Sequence, residues 1–497
     1  MQGDLFSTAA PIHQSPNTPA PNYNERYKLA YAGLNPEQKK AVDTIEGPVL
    51  VAAGPGTGKT QILAMRVGKI LLEQDVAPHN ILCLTFTDAG VIAMRNRLLR
   101  IIGPTAHQVH INSFHGFCNQ IIQENLDIFG AYKQFQPISE LETIDLYRSL
   151  IEKLPEDNSL RRYKYDKYTD LKRIKHLFDL MKKENLTPED INKEVDDFID
   201  RQDFTYKRKY TDKKTGTVYQ KGDRNEKKYK DAVYKYSKLK DAASQFPLFM
   251  KLMNQNERYD YNDMLLWVLR EFEARPQLLS DYQERYLYFL VDEYQDTNGA
   301  QNKLLEYLLG EYENPNVFVV GDDDQAIFKF QGANLGNIMD FQERYKPQLV
   351  VLKSNYRSTQ PILDGSKLLI ANNTERLLDK MPGLTKDLIA AGSNKESTTP
   401  VRLLNFAKSS EEHSFIVKEL KEIYDNTPGK LKNTAIIYRA HRQAADLVTV
   451  LEKLDIPLNI KRKVDILTQP LIINLLEILS YLNDELNRYG SGQHRLF

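Results

Sequence analysis

Three stretches of this sequence carry residue types suited to phosphate chemistry. AAGPGTGKT, residues 52–60, spaces Gly54, Gly56 and Gly58 around Thr57 and ends in Lys59 and Thr60. Glycines let backbone N–H groups turn toward a phosphate, the lysine supplies a point charge for the outer phosphates, and the last hydroxyl suits Mg2+. FLVDEYQDTN, residues 289–298, puts Asp292 and Glu293 at the end of an apolar run. One carboxylate there can hold a metal's coordinated water while its neighbour orients or deprotonates an attacking water. Asp296 and Thr297, just beyond, also read as helix caps. VGDDDQAIFKFQGA, residues 320–333, sets Asp322, Asp323 and Asp324 beside Gln325 and then adds Phe328 and Phe330. Repelling charges next to exposed rings are a poor design for stability alone, so this stretch reads as a phosphate-and-metal site or a binding surface. Gln325 is placed to touch a terminal phosphate or the attacking water, while the two phenylalanines, taken by themselves, read as core.

Each stretch follows a run that reads as a strand. PVLVAA (48–53), NILCLTFT (80–87), VHIN (109–112), YLYFLV (286–291), NVFVVG (316–321) and QLVVL (348–352) alternate with helical segments, the pattern of a parallel, helix-covered sheet. Open α/β sheets bind ligands beyond the carboxyl ends of their strands, so the three stretches should share one crevice. The alternation stops between about 131 and 257, where Lys, Asp, Glu and Tyr dominate and a helical insertion is expected. Within it, residues 201–240 hold 14 Lys/Arg against 5 Asp/Glu, with six tyrosines interleaved. Such a stretch can clamp a phosphate backbone and stack bases, or can be a solvated hairpin. A second alternating region follows: VRLLNF (401–406) and NTAIIYR (433–439) read as strands, with helices over about 410–424 and up to about 454 and an apolar run near 470–481.

The totals are those of an ordinary globular chain. At 497 residues it should divide into three or four domains, and 41% hydrophobic with 27% charged residues excludes a wholly disordered protein. Lys/Arg and Asp/Glu balance at 67 each, so any basic footprint is local. Two cysteines, Cys83 and Cys118, offer no disulfide framework and no metal-ligand spacing, which fits a reducing, cytoplasmic setting. No stretch approaches the length of an apolar membrane span and no secretory leader is apparent, so no membrane is expected as a partner. Prolines at 11, 16, 19 and 21 among Asn, Ser and Thr make residues 1–33 a disordered arm, with order expected from about Leu34.

Eight motifs, in order and at suitable spacing, resemble the UvrD/Rep/PcrA-type superfamily 1 DNA helicases: LNPEQKKAV (34–42), AAGPGTGKT, LTFTDAGVIAMRNRL (84–98), INSFHGFC (111–118), YDYNDML (259–265), VDEYQDT, VGDDDQAIFKFQGA and SNYRST (354–359). The similarity runs from about residue 34 to the C-terminus and is weakest in the insertion. The resemblance implies a RecA-like P-loop NTPase domain (34–130 and 258–350), a mainly helical insertion (131–257) and a partial second RecA-like domain (351–497). It implies ATP and Mg2+ as cofactors and single-stranded or partly duplex DNA as partner, tracked 3′ to 5′. Carried over residue by residue, Gln38 recognises adenine, Tyr356 stacks on it, and Gln61 takes an adenine-side position. Arg357 meets the γ-phosphate and stabilises charge developing in transfer. Gly54, Gly56, Thr57 and Gly58 cradle the phosphates with Lys59, and Thr60 and Asp292 hold the metal. Glu293 and Gln325 serve the attacking water, and Phe86, His115, Phe328 and Phe330 fall at DNA-contacting positions, which overrides the core reading of the last two.

The chain departs from the family pattern in places. Asp88-Ala89 stands where Asn-Lys is usual, Gln331 replaces an arginine, and Gln61 stands where an arginine is common; a weaker DNA grip is expected. Nothing after SNYRST matches the family's TxHxxKGLE-like or VALTRA-like motifs, the second of which bears an arginine. The expectation is therefore the N-terminal portion of a longer helicase, impaired in hydrolysis by itself. A non-catalytic nucleotide- and DNA-binding module and the motor of a helicase-nuclease are the alternatives.

Overall fold

The computed structural model describes residues 23–156, 158, 160–161, 167–211, 217–310, 312–325, 335–373, 376, 385–460 and 466–487. They fall into two compact units, Met1–Pro400 and Val401–Phe497.

The first unit is built on six strands: β1 (Val49–Ala53), β2 (Ile81–Thr85), β3 (His110–Ser113), β4 (Tyr288–Val291), β5 (Val317–Gly321) and β6 (Gln348–Leu352). Their order is β6-β1-β5-β4-β2-β3, and every neighbouring pair is parallel. All six coincide with the apolar runs expected as strands. A sheet covered on both faces needs apolar side chains at consecutive positions, and β1, β2, β4 and β5 are buried throughout. Strand periodicity then sorts them. Tyr288 and Leu290 of β4 join the side packed by helices Lys59–Glu73 and Asp88–Ile102, while Phe289 and Val291 join the side packed by Phe114–Glu124, Tyr261–Ala274 and Gly299–Leu309.

Order begins earlier than expected. Residues Tyr23–Ala32 form a helix, and its Tyr27 is buried against Gly68, which corrects the disordered arm for this part. The prolines that signal disorder all precede it; the aromatic ring that anchors it carries no such signature. Beside it, Arg66 is only 1% exposed. Its guanidinium donates to the carbonyls of Ala41 (3.0 Å), Ile45 (2.7 Å) and Thr44, and lies 4.4 Å from the centre of the Phe318 ring. Those carbonyls end the helix Pro36–Asp43, so the helix Lys59–Glu73 holds that helix by its C-terminal end.

The insertion folds around its own core of Tyr147, Leu150, Ile151, Phe178 and Phe249, with the Tyr147 and Phe249 rings stacked at 4.7 Å. Lys182, 1% exposed, fastens it to the sheet-bearing part: its Nζ lies 2.7 Å from Asp260 Oδ2 and 2.8 Å from Asp263 Oδ1, both at the start of helix Tyr261–Ala274. Burial of that ammonium is offset by the two carboxylates, which raise its pKa. The basic stretch is divided: Tyr210–Thr211 pairs antiparallel with Val218–Tyr219, with the Tyr206 ring stacked on Tyr219 at 4.6 Å and on Tyr210 at 5.6 Å, and Glu226–Ala243 is a helix.

In the second unit, helices Ser409–Asn426 and His441–Lys453 meet over Leu420, Leu447, Leu451 and Ile456. The strands expected over 401–406 and 433–439 are not formed among the described residues. Leu403 is 88% and Ile437 95% exposed. An apolar run becomes a strand only when a neighbour satisfies its backbone, and neither run has one here.

Candidate nucleotide site

The loop after β1 turns back into helix Lys59–Glu73 through two left-handed glycines, Gly56 at φ 69° and Gly58 at φ 91°. Both are also crowded. A Cβ on Gly56 would sit 2.6 Å from Arg357 Cβ, and one on Gly58 would sit 2.9 Å from Gln38 Nε2. Any larger residue is therefore strained twice over. Thr57 is fully buried and donates from Oγ1 to the Gly54 carbonyl at 2.8 Å, closing the turn from inside. Thr60 and Gln61 follow Lys59 in the first turn of the helix.

Gln38 is presented by a capped helix. Asn35 Oδ1 accepts from Gln38 N at 2.8 Å, Gln38 Oε1 accepts from Asn35 N at 3.2 Å, and Gln38 Nε2 reaches the Thr57 carbonyl at 2.8 Å. Asn35 also donates to the Tyr356 hydroxyl at 3.0 Å. Tyr356 N donates to the Gly56 carbonyl at 2.9 Å, and Asn355, fully buried, donates its side-chain amide to the Pro55 carbonyl. Asn355 Oδ1 accepts from the backbone of Arg357 (2.9 Å) and Ser358 (2.7 Å). The segment after β6 is thus seated directly on the phosphate loop. Arg357 is exposed and makes no ion pair among the described residues.

The carboxylates close the other side. Lys59 Nζ is 2.6 Å from Glu293 Oε2. Glu293 adopts a left-handed backbone, φ 50°, at a cost of roughly 1 kcal/mol, and this turn brings its side chain to the lysine. Asp292 is buried at the end of β4; desolvation, reinforced by Glu293 and opposed by Lys59, pushes its carboxyl up to about 6. Gln295, 1% exposed, joins two strand ends: Nε2 donates to Glu293 Oε2 at 2.8 Å and Oε1 accepts from Asp322 N at 2.9 Å. Gln325 lies one step further, donating to Asp322 Oδ2 at 2.5 Å. Asp322, Asp323 and Asp324 are not an open carboxylate cluster, because Lys386 and Arg376 pair with them.

The remaining site positions lie at neighbouring strand ends. Phe86 follows β2 and is half-buried. His115 opens helix Phe114–Glu124, edge-on to Tyr261 at 6.3 Å, and burial lowers its pKa, which favours the neutral ring. Phe328 and Phe330 lie outside the described residues, as does Gln331.

Comparison with known proteins agrees with this geometry. Residues 34–346 match the UvrD/REP helicase N-terminal domain, and residues 350–490 match the UvrD-like helicase C-terminal domain. The chain belongs to the UvrD/REP helicase family. It is 29% identical over 425 residues to the ATP-dependent DNA helicase PcrA of Staphylococcus aureus (strain NCTC 8325 / PS 47), a match covering 85% of this chain and 50% of that protein. It is 30% identical, with the same coverage, to the PcrA of Staphylococcus epidermidis (strain ATCC 12228 / FDA PCI 1200). The chain spans about half the length of the curated relatives it matches.

Two departures from the family pattern have a structural counterpart. Asp88 accepts from Ser113 Oγ at 2.9 Å, so this carboxylate ties the ends of β2 and β3 together. Gln61 accepts from Arg97 Nη1 at 2.6 Å, which brings an arginine from the next helix beside the position where UvrD-type chains often carry one. Sequence reasoning passed over Gln295, Asn355, Lys386 and Arg376. Asn355 had a signal, since an asparagine two and three residues ahead of Arg357 and Ser358 is the spacing of a side-chain-capped turn. Lys386 and Arg376 had none.

Proposed function

We propose that this chain is the ATP-driven part of a DNA helicase or translocase acting on single-stranded DNA, moving 3′ to 5′. In this reading residues 34–130 and 258–350 form the first motor domain, 131–257 its insertion and 351–497 the second motor domain. The observation that carries the reading is the contact of Lys59 with Glu293, within a loop that also meets Gln38, Tyr356 and Arg357.

The residues fit a magnesium nucleotide. Two left-handed glycines open a cradle, Lys59 and the exposed Arg357 supply positive charge, and Thr60 with the buried Asp292 offers oxygen ligands. Bound Mg2+ would neutralise charge on the phosphate oxygens. Glu293 is paired with Lys59, and a phosphate that takes over the lysine releases Glu293 to hold the attacking water. Gln325, linked to Glu293 through Asp322 and Gln295, is the group placed to report the terminal phosphate. Gln38 reads the base edge, and Tyr356 offers the ring on which it stacks. Phe86, His115, Phe328 and Phe330 are the DNA-side residues of this reading.

Steady-state ATP hydrolysis with and without single-stranded DNA tests it. DNA-stimulated turnover that Lys59→Ala abolishes is the expected result; turnover indifferent to DNA, or insensitive to that substitution, defeats it.

A further inference from the structure

Three successive carboxylates beside a triphosphate site pose an electrostatic problem. Asp322 and Asp323 are 1% and 2% exposed, and one oxygen from each of Asp322, Asp323 and Asp324 lies within 4.8 Å of the others. Uncompensated, such a group is expensive to bury and repels a polyanion. Two cations from the segment after β6 meet it. Arg376 grips Asp324 in a fork, Nε to Oδ1 at 2.6 Å and Nη2 to Oδ2 at 2.7 Å. Lys386 Nζ lies 3.4 Å from Asp322 Oδ1 and contacts Asp323, and its side chain is 6% exposed.

The fold fixes Lys386 there. Ile389 pairs in parallel with Ser354, its N donates to the Lys353 carbonyl at 2.9 Å, and Leu388 packs on Gly54 of the phosphate loop. Lys386 is therefore delivered between the loop and the end of β5. Burial lowers its pKa, Asp322 opposes that, and the charge of Lys59 adds a smaller push in the same direction as burial. The second oxygen of Asp322 is the one that holds Gln325. A cation competing for these carboxylates would have to displace both basic side chains.

We propose that Lys386 is a positioning residue of the nucleotide site, which neutralises Asp322 and Asp323 so that a triphosphate can bind beside them and holds Asp322 in the orientation that aims Gln325. This deepens the nucleotide reading and rests on it. The charge arithmetic gives opposite signs for its two partners. Removing the lysine leaves three carboxylates against Arg376 alone and a stronger repulsion for ATP, whereas removing Asp323 with Lys386 in place leaves two carboxylates balanced by two cations, one negative charge fewer than in the unaltered chain.

Equilibrium binding of Mg-ATP to the full chain, titrated at low and at high salt, tests this. Lys386→Met should weaken binding ~10-fold or more at low salt, with a deficit that shrinks as salt is raised. Lys386→Met combined with Asp323→Asn should recover most of the loss, and Asp323→Asn alone should bind more tightly than the unaltered chain. Wild-type affinity in Lys386→Met, a loss that the second substitution does not relieve, or unchanged or weaker binding by Asp323→Asn overturns the proposal. Should Lys386→Met fail to fold, Asp323→Asn alone decides by the sign of its effect. Lys59→Ala keeps the two readings apart: if it loses ATP while Lys386→Met does not, only this inference fails, and if it binds ATP normally, the site itself was misread.

Discussion

At the end of β4 a carboxylate meets Lys59, while at the end of β5 three carboxylates meet Lys386 and Arg376. The two groups look alike as sequence, and they differ in access. Glu293 keeps 37% of its side chain exposed beside Lys59, whereas Asp322 and Asp323 are sealed with Lys386 at 1%, 0% and 6%. An ion pair at the edge of solvent exchanges partners at little cost; one without water holds a geometry. Acidic residues after a strand are thus read correctly only with their cations, and in both cases the cation comes from a distant part of the chain.

Substitutions can break or sharpen that contrast. The largest effect is expected at the exchangeable end: Glu293→Gln should retain ATP binding and lower hydrolysis ~10²–10⁴-fold, measured as DNA-stimulated turnover. Next comes a second sealed lysine, Lys182 between Asp260 and Asp263. Lys182→Met should cost ~3–5 kcal/mol in urea unfolding, because it strands two carboxylates away from a counter-charge.

A smaller effect separates charge from packing at β4. Asp296 has its carboxyl pushed up to about 6 by burial and by Glu293, against the pull of Lys59. A raised value in the folded state means that the protonated form is favoured there, so stability is greatest below the unfolded value near 3.8 and is lost as pH rises through about 6. Asp296→Asn should therefore stabilise the chain by about 1 kcal/mol at pH 7, after discounting for solvent, and give no gain below pH 4, in unfolding curves taken across that range. The smallest effect belongs to the insertion. Neutralising Lys209, Lys221, Lys227 and Lys228 should reduce the salt slope of single-strand binding by ~0.7 for each DNA phosphate that no longer meets a lysine. An unchanged slope makes the basic stretch, strand pair and helix Glu226–Ala243 alike, a solvated surface.

Much of the architecture was legible because it obeys local rules. The four inner strands of the sheet are apolar runs buried throughout and the two edge strands alternate, while Asp292, Glu293 and Gln325 follow strand ends and Gln38 is presented by the helix Pro36–Asp43. What was not legible depends on partners distant in sequence. Residues 401–406 and 433–439 have strand composition but no strand partner among the described residues. The helix Tyr23–Ala32 hides behind a proline-rich leader and is anchored by Tyr27 on Gly68. Lys386 and Arg376 lie in a stretch with no periodicity, more than fifty residues from the carboxylates they serve, a separation no spacing rule spans. Asp88 looked like a defect in a motif until its bond to Ser113 supplied a purpose.

Arg66 brings an economy of its own. One guanidinium hangs the helix bearing Gln38 from the helix bearing Lys59, and lays its flat face on Phe318 in the middle of β5. In the proposed reading, the element that reads the base, the element that grips the phosphates and the strand that leads into Asp322 therefore share a single bolt. On that reading, a shift of β5 would reach the adenine edge with no intervening joint to absorb it, and a nucleotide would be loosened from both of its ends at once.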